Sequence, residues 1–236
     1  MNKETHPFLE LGKVPNATKL ILGSFPVYSI TLPDSEEKNR IRKSDRSIQF
    51  FYGSCKSSFW GLYHLYIDNG LEIPITSKEA LSSLVKNQIA ISDIIMECER
   101  NGRSAADSDL TKRVYNVKMI KGFLNNGITK ILCTSKGVMD MFHDQIAKKS
   151  NEFVFQEDES YKWQTEVMSK LKGSEIQIKK LICRQYVYKG KTIRLISIPS
   201  PGSPQRQLKQ FGFTGDYWRE YADKYFEFSF KWLKID

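Results

Sequence analysis

The sequence predicts an α/β domain built on a mainly parallel sheet. Two observations carry this. Short apolar runs of strand length alternate with longer stretches of helical character. Three of those runs close on an unusual polar turn, reading GSFP, SDII and IPSPGSP. No internal repeat and no low-complexity segment competes with this reading.

The elements follow in order. Lys19–Leu22 is a buried-strand run closed by the turn Gly23–Pro26. From Val27 to Ile48 the chain is polar and irregular, with a charged block at 34–46; a connection that long is functional or disordered. Ser57–Tyr66 reads as a helix opened by a serine cap, and Ser77–Lys86 as a second helix with a Ser/Glu start. Gln88–Ile95 is one continuous second strand run. Tyr115–Asn126 is amphipathic and stops at Asn126-Gly127. Thr129–Thr134 is the third strand and Lys136–Lys149 the next helix. Ser150–Glu159 is polar, acidic and expected to be exposed. Glu175–Tyr188 and Lys191–Ile198 are strands joined through Lys189-Gly190, a hairpin signal. Tyr217–Leu233 is an aromatic-rich closing helix. In parallel sheets ligands bind outside the carboxyl ends of the strands, so the three polar turns are expected to share one rim.

Composition narrows the partners. The chain has 236 residues, which suits one domain over 1–236 or a domain with a large insertion. Its formal net charge of +9 favours an anionic partner, most commonly nucleic acid, although a merely solvated basic surface gives the same number. Cys55, Cys98, Cys133 and Cys183 form no CxxC pair and have no histidine at ligand spacing, so no metal centre is expected. No apolar run has the length of a membrane span and MNKETHPF has no signal-peptide core. The expectation is a reduced, cytoplasmic protein without a membrane partner.

Four stretches could carry chemistry. Gly23-Ser24-Phe25-Pro26 is either a plain strand-to-loop turn or a place where a ligand approaches backbone closely. Phe50–Trp60 places Tyr52 in a loop and Lys56 beside it, a pairing that can stack a base and meet phosphate; Phe59 and Trp60 read as the buried face of a helix. Asp93, after Ser92, ends an apolar run where an unpaired acid is costly; it reads equally as a cap or as a catalytic helper. In SIPSPGSPQR, prolines stiffen a loop whose Ser200 and Ser203 could hold phosphate with Arg206 behind them; a rigid turn explains the same residues.

Taken in order, these stretches resemble the uracil-DNA glycosylase superfamily, and most closely its hypoxanthine-DNA glycosylase branch. THPFLE…TKLILGSFP is similar to that branch's opening, YGSCKSSFW to its Tyr-x-His-Pro-x-Asn-x-Phe-Trp segment, and SIPSPGSP to its Leu-Pro-Ser-Thr-Ser-Pro loop. IAISDIIMECERNGRSAADSDL and ILCTSKGVMDMF look like its second and third strands with their sequels. The likeness covers about three quarters of the chain. It skips 148–186, which reads as a hairpin-containing insertion.

The resemblance implies a three-layer α/β/α fold around a central, mainly parallel four-stranded sheet. It implies a monomeric, cofactor-free DNA glycosylase of base excision repair. Such an enzyme flips a deaminated base, hypoxanthine or uracil, out of damaged or mismatched DNA, duplex or single-stranded, and hydrolyses its N-glycosidic bond. Carried over by position, Ser57, Asp93 and Ser24 are the catalytic residues. Gly23, Phe25, Pro26, Tyr52 and Ser92 hold the base. Lys56, Ser200, Gly202, Ser203 and Arg206 hold the DNA backbone. The sequence departs from the pattern in places. Val27 stands where the family has glycine, and Ser57 where it has an asparagine. Phe25 brings no carboxylate or amide to the turn. Ile198 and Gly202 replace the histidine and wedge leucine of uracil-specific relatives. A nucleic-acid-binding protein of the same fold with little or no activity is the alternative, and an enzyme acting on another nucleotide or nucleoside is a third.

Overall fold

The computed structural model describes residues 3–31, 48–54, 57–72, 75–102, 106–170, 181–202 and 218–235. Lys56, Ser203 and Arg206 lie outside them, as does the proposed strand start at 175. Strand β1 is Lys3–Thr5, β2 Lys19–Gly23, β3 Ile89–Asp93, β4 Ile95–Arg100 and β5 Leu110–Tyr115. Strand β6 is Lys130–Cys133, β7 Phe153–Phe155, β8 Cys183–Tyr188 and β9 Lys191–Ser197. Helix α1 is the single turn Tyr28–Thr31, α2 Phe59–Tyr66, α3 Ser77–Lys86 and α4 Val117–Asn125. Helix α5 is Lys136–Phe142, α6 Glu157–Lys170 and α7 Trp218–Lys234.

The main sheet has six strands in the order β3-β2-β6-β9-β8-β7. The first four are mutually parallel. β8 and β7 extend the sheet antiparallel through the hairpin and one further pairing. A second sheet, β1-β4-β5, is antiparallel throughout. The α/β class is therefore as expected, but the sheet is six-stranded and mixed rather than four-stranded, and it has an antiparallel companion.

The inner parallel strands form because their central residues are buried at consecutive steps. Leu20, Ile21 and Leu22 of β2, Ile89 to Ser92 of β3 and Ile131 to Cys133 of β6 all have no measurable exposure. Successive strand side chains point to opposite faces, so burial of all of them means both faces are covered. Local sequence sets the helix ends. Thr76 Oγ1 accepts the Glu79 amide at 3.2 Å, while the Glu79 carboxylate accepts the Thr76 amide at 2.7 Å, a reciprocal cap on α3. Ser135 caps α5 by accepting the Val138 amide at 3.1 Å. The hairpin turns on Lys189 and Gly190, both at positive φ (47° and 79°), the left-handed pair a two-residue turn requires.

Several sequence boundaries are corrected. Gln88–Ile95 is not one strand: it leaves the main sheet after Asp93 and enters the second sheet at Ile95. The switch occurs because Ile94 and Ile95 donate their amides to the carbonyls of Gly23 and Ser24, at 2.9 and 3.0 Å, past the end of β2. Tyr115 ends β5 rather than starting a helix. Ser150–Glu159 is not an open acidic loop. Phe153 and Phe155 are half-buried in β7, packed against Tyr186 and Tyr188, and Glu157 begins α6. The expected long helix after Lys136 becomes α5 followed by a π-turn at His143–Ala147.

Candidate functional site

The register aligns the carboxyl ends of the parallel strands. Gly23 pairs with Asp93, Leu22 with Cys133, and Cys133 with Ser197. The turns after β2, β3, β6 and β9 therefore share one rim. The chain runs from β2 outward to β3 and from β6 outward to β9 in the opposite direction, which leaves a crevice between the ends of β2 and β6. Open α/β sheets bind ligands at such a reversal.

Three residues meet there. A Cβ added to Gly23 would lie 2.1 Å from Asp93 Oδ1 and 2.1 Å from the Tyr52 hydroxyl, so only glycine fits. Tyr52 sits in the left-handed region at φ 54° and donates its hydroxyl to Thr134 Oγ1 at 2.8 Å, across the crevice. One face of its ring stacks on Phe59, 4.2 Å between centroids. Burial pushes the Tyr52 phenol well above its ordinary value, and the charge of Asp93 adds to the rise.

Asp93 is 5% exposed, and its Oδ2 accepts a hydrogen bond from His6 Nε2 at 2.8 Å. His6 Nδ1 accepts the Phe8 amide at 3.1 Å, which leaves the ring's proton on Nε2, aimed at the carboxylate. The second sheet brings the pair together. β1 pairs with β4, which follows Asp93 directly, and the His6 amide continues that ladder to the Met96 carbonyl at 2.9 Å. Phe8, Phe25 and Phe51 enclose the imidazole at ring distances of 6.0, 5.6 and 5.2 Å.

Ser24 is half-buried in the turn, where its carbonyl accepts the Ile95 amide at 3.0 Å, and Asp107 lies in the short turn Asp107–Asp109 between β4 and β5. Burial holds the Asp107 carboxyl above the usual carboxylate range; the Ser24 hydroxyl and Arg113 oppose the rise, and Asp93 adds to it. Phe25 is buried against His6 with the Arg100 guanidinium 5.7 Å from its centroid, and Pro26 presents its carbonyl to Arg100 Nη2 at 2.7 Å. These two residues brace the turn and the imidazole. Ser92 is fully buried, and its neighbours are Asn116 Nδ2 at 3.2 Å and Met119 Sδ at 3.8 Å, on the strand face opposite Asp93. It is not brought to the crevice.

Ser57 Oγ accepts the Phe59 amide at 3.3 Å and so opens α2. The residue beside it ties the proline loop to the same helix. Ser58 donates both its amide and its hydroxyl to the Pro201 carbonyl, at 3.1 and 2.8 Å. Ser200 is half-buried in that loop and Gly202 is exposed, with Ser200 Oγ at 3.9 Å from an added Cβ.

His6 and Thr134 belong to the site, and no feature of the sequence singles them out. His6 lies inside the THPFLE motif, but its partner Asp93 is 87 residues away, and no local spacing marks the pair.

A separate cleft of about 510 Å³ lies beyond the start of β6, at the other end of the sheet. Its tryptophan faces already meet cations: Arg194 over Trp163 and Lys130 over Trp232. Cys98, Cys133 and Cys183 are buried free thiols. Among the described residues no cluster of three or more His, Cys, Asp or Glu is placed to hold a metal ion, and no helix is long and apolar enough to cross a membrane. No protein-family model matches the chain, and neither a curated protein nor a solved structure matches it.

Proposed function

We propose that this protein is a DNA glycosylase that releases a deaminated base, hypoxanthine or uracil, after flipping it from the helix. The observation that carries the reading is the convergence of Gly23, Tyr52 and Asp93 at the crevice between β2 and β6. Four parallel strands in the main sheet, which β8 and β7 extend, support this reading.

The chemistry follows from the placement. A flipped base is received beside the two groups that meet over Gly23, the Asp93 carboxylate and the Tyr52 hydroxyl, which fill the space left by its missing side chain. Breaking the N-glycosidic bond builds positive charge on the sugar. The carboxylate of Asp93, dehydrated and oriented by His6, stabilises that charge and orients the attacking water. The 199–202 loop, tied to α2 through Ser58, holds the phosphates beside the extruded nucleotide. The basic surface supplies the sequence-independent part of binding.

A second reading, a binding protein with little activity, is favoured by Ser57. Its oxygen is engaged by the Phe59 amide at the place where the resemblance calls for an asparagine. One assay separates the two. Purified protein is incubated with duplex and single-stranded oligonucleotides carrying one uracil, hypoxanthine or xanthine, then treated with alkali. Strand scission at the modified position is expected. Retained binding with no scission on any substrate would leave the binding reading.

A further inference from the structure

The cleft of about 510 Å³ lies between α6 and α7, over the start of β9. Helical spacing builds its walls. Trp163 and Lys170 stand seven residues apart on one face of α6, and Lys224, Phe228 and Trp232 recur every four residues along α7. Trp163 and Trp232 join the two helices, 5.4 Å between ring centroids. Arg194 of β9 enters between them. Its guanidinium lies over the Trp163 ring, 5.6 Å from the centroid, and its Nε donates to Gln185 Oε1 at 2.9 Å. The side chain is exposed, and no acid pairs with it among the described residues. A guanidinium held in one orientation with its terminal nitrogens unspent is a ready fork for an anion. Lys170 is exposed at the same cleft, also without a partner among the described residues. The acids of the lining do not cancel this charge: Glu227 is taken by Lys231 at 2.6 Å, and Glu166 is outnumbered by Arg194 and Lys170. The tryptophans hold cations and one another. The apolar contact left to a ligand is therefore Phe228, half-buried and without a ring partner among the described residues, and Ile235, 65% exposed.

We propose that this cleft is a second binding site and that it takes a single nucleotide unit. The phosphate sits on the Arg194 fork with Lys170 beside it, and the planar base lies against Phe228 and Ile235. Each observation selects part of that ligand. The volume is that of a small-molecule site. The oriented guanidinium and the amine beside it call for a compact anion with several acceptor oxygens. Phe228 favours a flat ring, which an aliphatic acid does not bring. A free mononucleotide and one unit of a single strand present this same chemistry. The start of β9, where Arg194 pairs with Lys130, is the end of the sheet away from Asp93, so the proposal stands apart from the glycosylase reading.

The test is calorimetric binding of the full chain to a nucleoside 5′-monophosphate, the matching nucleoside, inorganic phosphate, an unmodified single-stranded oligonucleotide and a glutamate-rich peptide. Wild-type protein is compared with Arg194→Gln, which removes the fork, and with Lys170→Gln, which removes an exposed charge at no cost to the fold; urea denaturation checks both. The monophosphate is expected to bind wild-type protein more tightly than the nucleoside or phosphate alone. Its affinity should fall by about tenfold or more in Arg194→Gln and by at least about twofold in Lys170→Gln. If the source is a strand, the oligonucleotide shows these losses and the monophosphate does not bind. Should Arg194→Gln fail to fold, Lys170→Gln decides. Wild-type affinity for both nucleotide probes in the folded variants, no binding of either probe, or binding of the peptide alone overturns the proposal.

Discussion

His6 and Asp93 lie 87 residues apart in sequence and share a 2.8 Å hydrogen bond in which the imidazole Nε2–H points at Oδ2. Neither side chain has more than 7% of its surface exposed. Water therefore cannot replace either partner, and removing the imidazole strands a buried carboxylate. His6→Ala is expected to lower unfolding free energy by about 3 kcal/mol or more, read from urea denaturation. A loss of less than about 0.5 kcal/mol, the range of ordinary surface substitutions, would mean that the pair does not hold the site.

Gly23→Ala tests the close approach at the rim. The new methyl group must displace both the Asp93 carboxylate and the Tyr52 hydroxyl, each 2.1 Å from where it would sit. Neither is the far end of a flexible chain, because His6 fixes one and Thr134 the other. A destabilisation of about 1–3 kcal/mol is expected from overpacking. Any base-release activity should fall with it. Wild-type stability and activity in Gly23→Ala would contradict the convergence.

Tyr52→Phe removes the crevice hydroxyl at modest cost. Thr134 Oγ1 still reaches the Leu22 carbonyl at 3.4 Å, so a loss of about 1 kcal/mol is expected at neutral pH. The alkaline behaviour is more telling. The folded-state value of Tyr52 is raised above the ordinary 10.0. Its contribution to stability is therefore fully present below pH 10 and declines as pH climbs from there towards the folded-state value. Tyr52→Phe should soften that decline without altering phenolate absorbance before unfolding. A phenolate step near the ordinary value that vanishes in Tyr52→Phe would show that the hydroxyl is not buried.

Ser58→Ala probes the proline loop. The Ser58 amide keeps its bond to the Pro201 carbonyl and the hydroxyl bond is lost. If the 199–202 loop holds phosphate, oligonucleotide affinity should weaken by about fivefold, the equivalent of about 1 kcal/mol, with stability changed by no more than that. Unaltered affinity would detach the loop from DNA binding.

The sheet was legible from sequence wherever one short segment sets its own environment. Leu20–Leu22 and Ile131–Cys133 are apolar at consecutive positions, the pattern of strands buried on both faces, and Lys191–Ser197 becomes so from Leu195 onward. The Ser77–Lys86 helix carries its own cap and was placed to the residue. What escaped depends on pairing across the chain. β1 and β5 are half-exposed edge strands whose pattern is weak, and β7 spans only Phe153–Phe155. The change of sheet at Ile94 is made by hydrogen bonds to Gly23 and Ser24, which no feature of IAISDIIM announces. The site divides the same way. Gly23, Tyr52 and Asp93 stand at unusual places in the sequence: a strand-end glycine, a loop aromatic and a strand-end acid. His6 and Thr134 are ordinary residues until the sheets bring them alongside.

The central claim is that the Asp93 carboxylate, held by His6 beside Gly23, acts on a flipped base. It is tested most directly by quantifying the free base released from a hypoxanthine- or uracil-containing oligonucleotide under single-turnover conditions, by wild-type protein and by Asp93→Asn. Wild-type protein should release one base per abasic site formed. Asp93→Asn, which keeps the shape and an acceptor for His6, should do so at least about 100-fold more slowly while still binding the oligonucleotide. Equal release rates for the two proteins, or no release by wild-type protein from either substrate, would contradict the account.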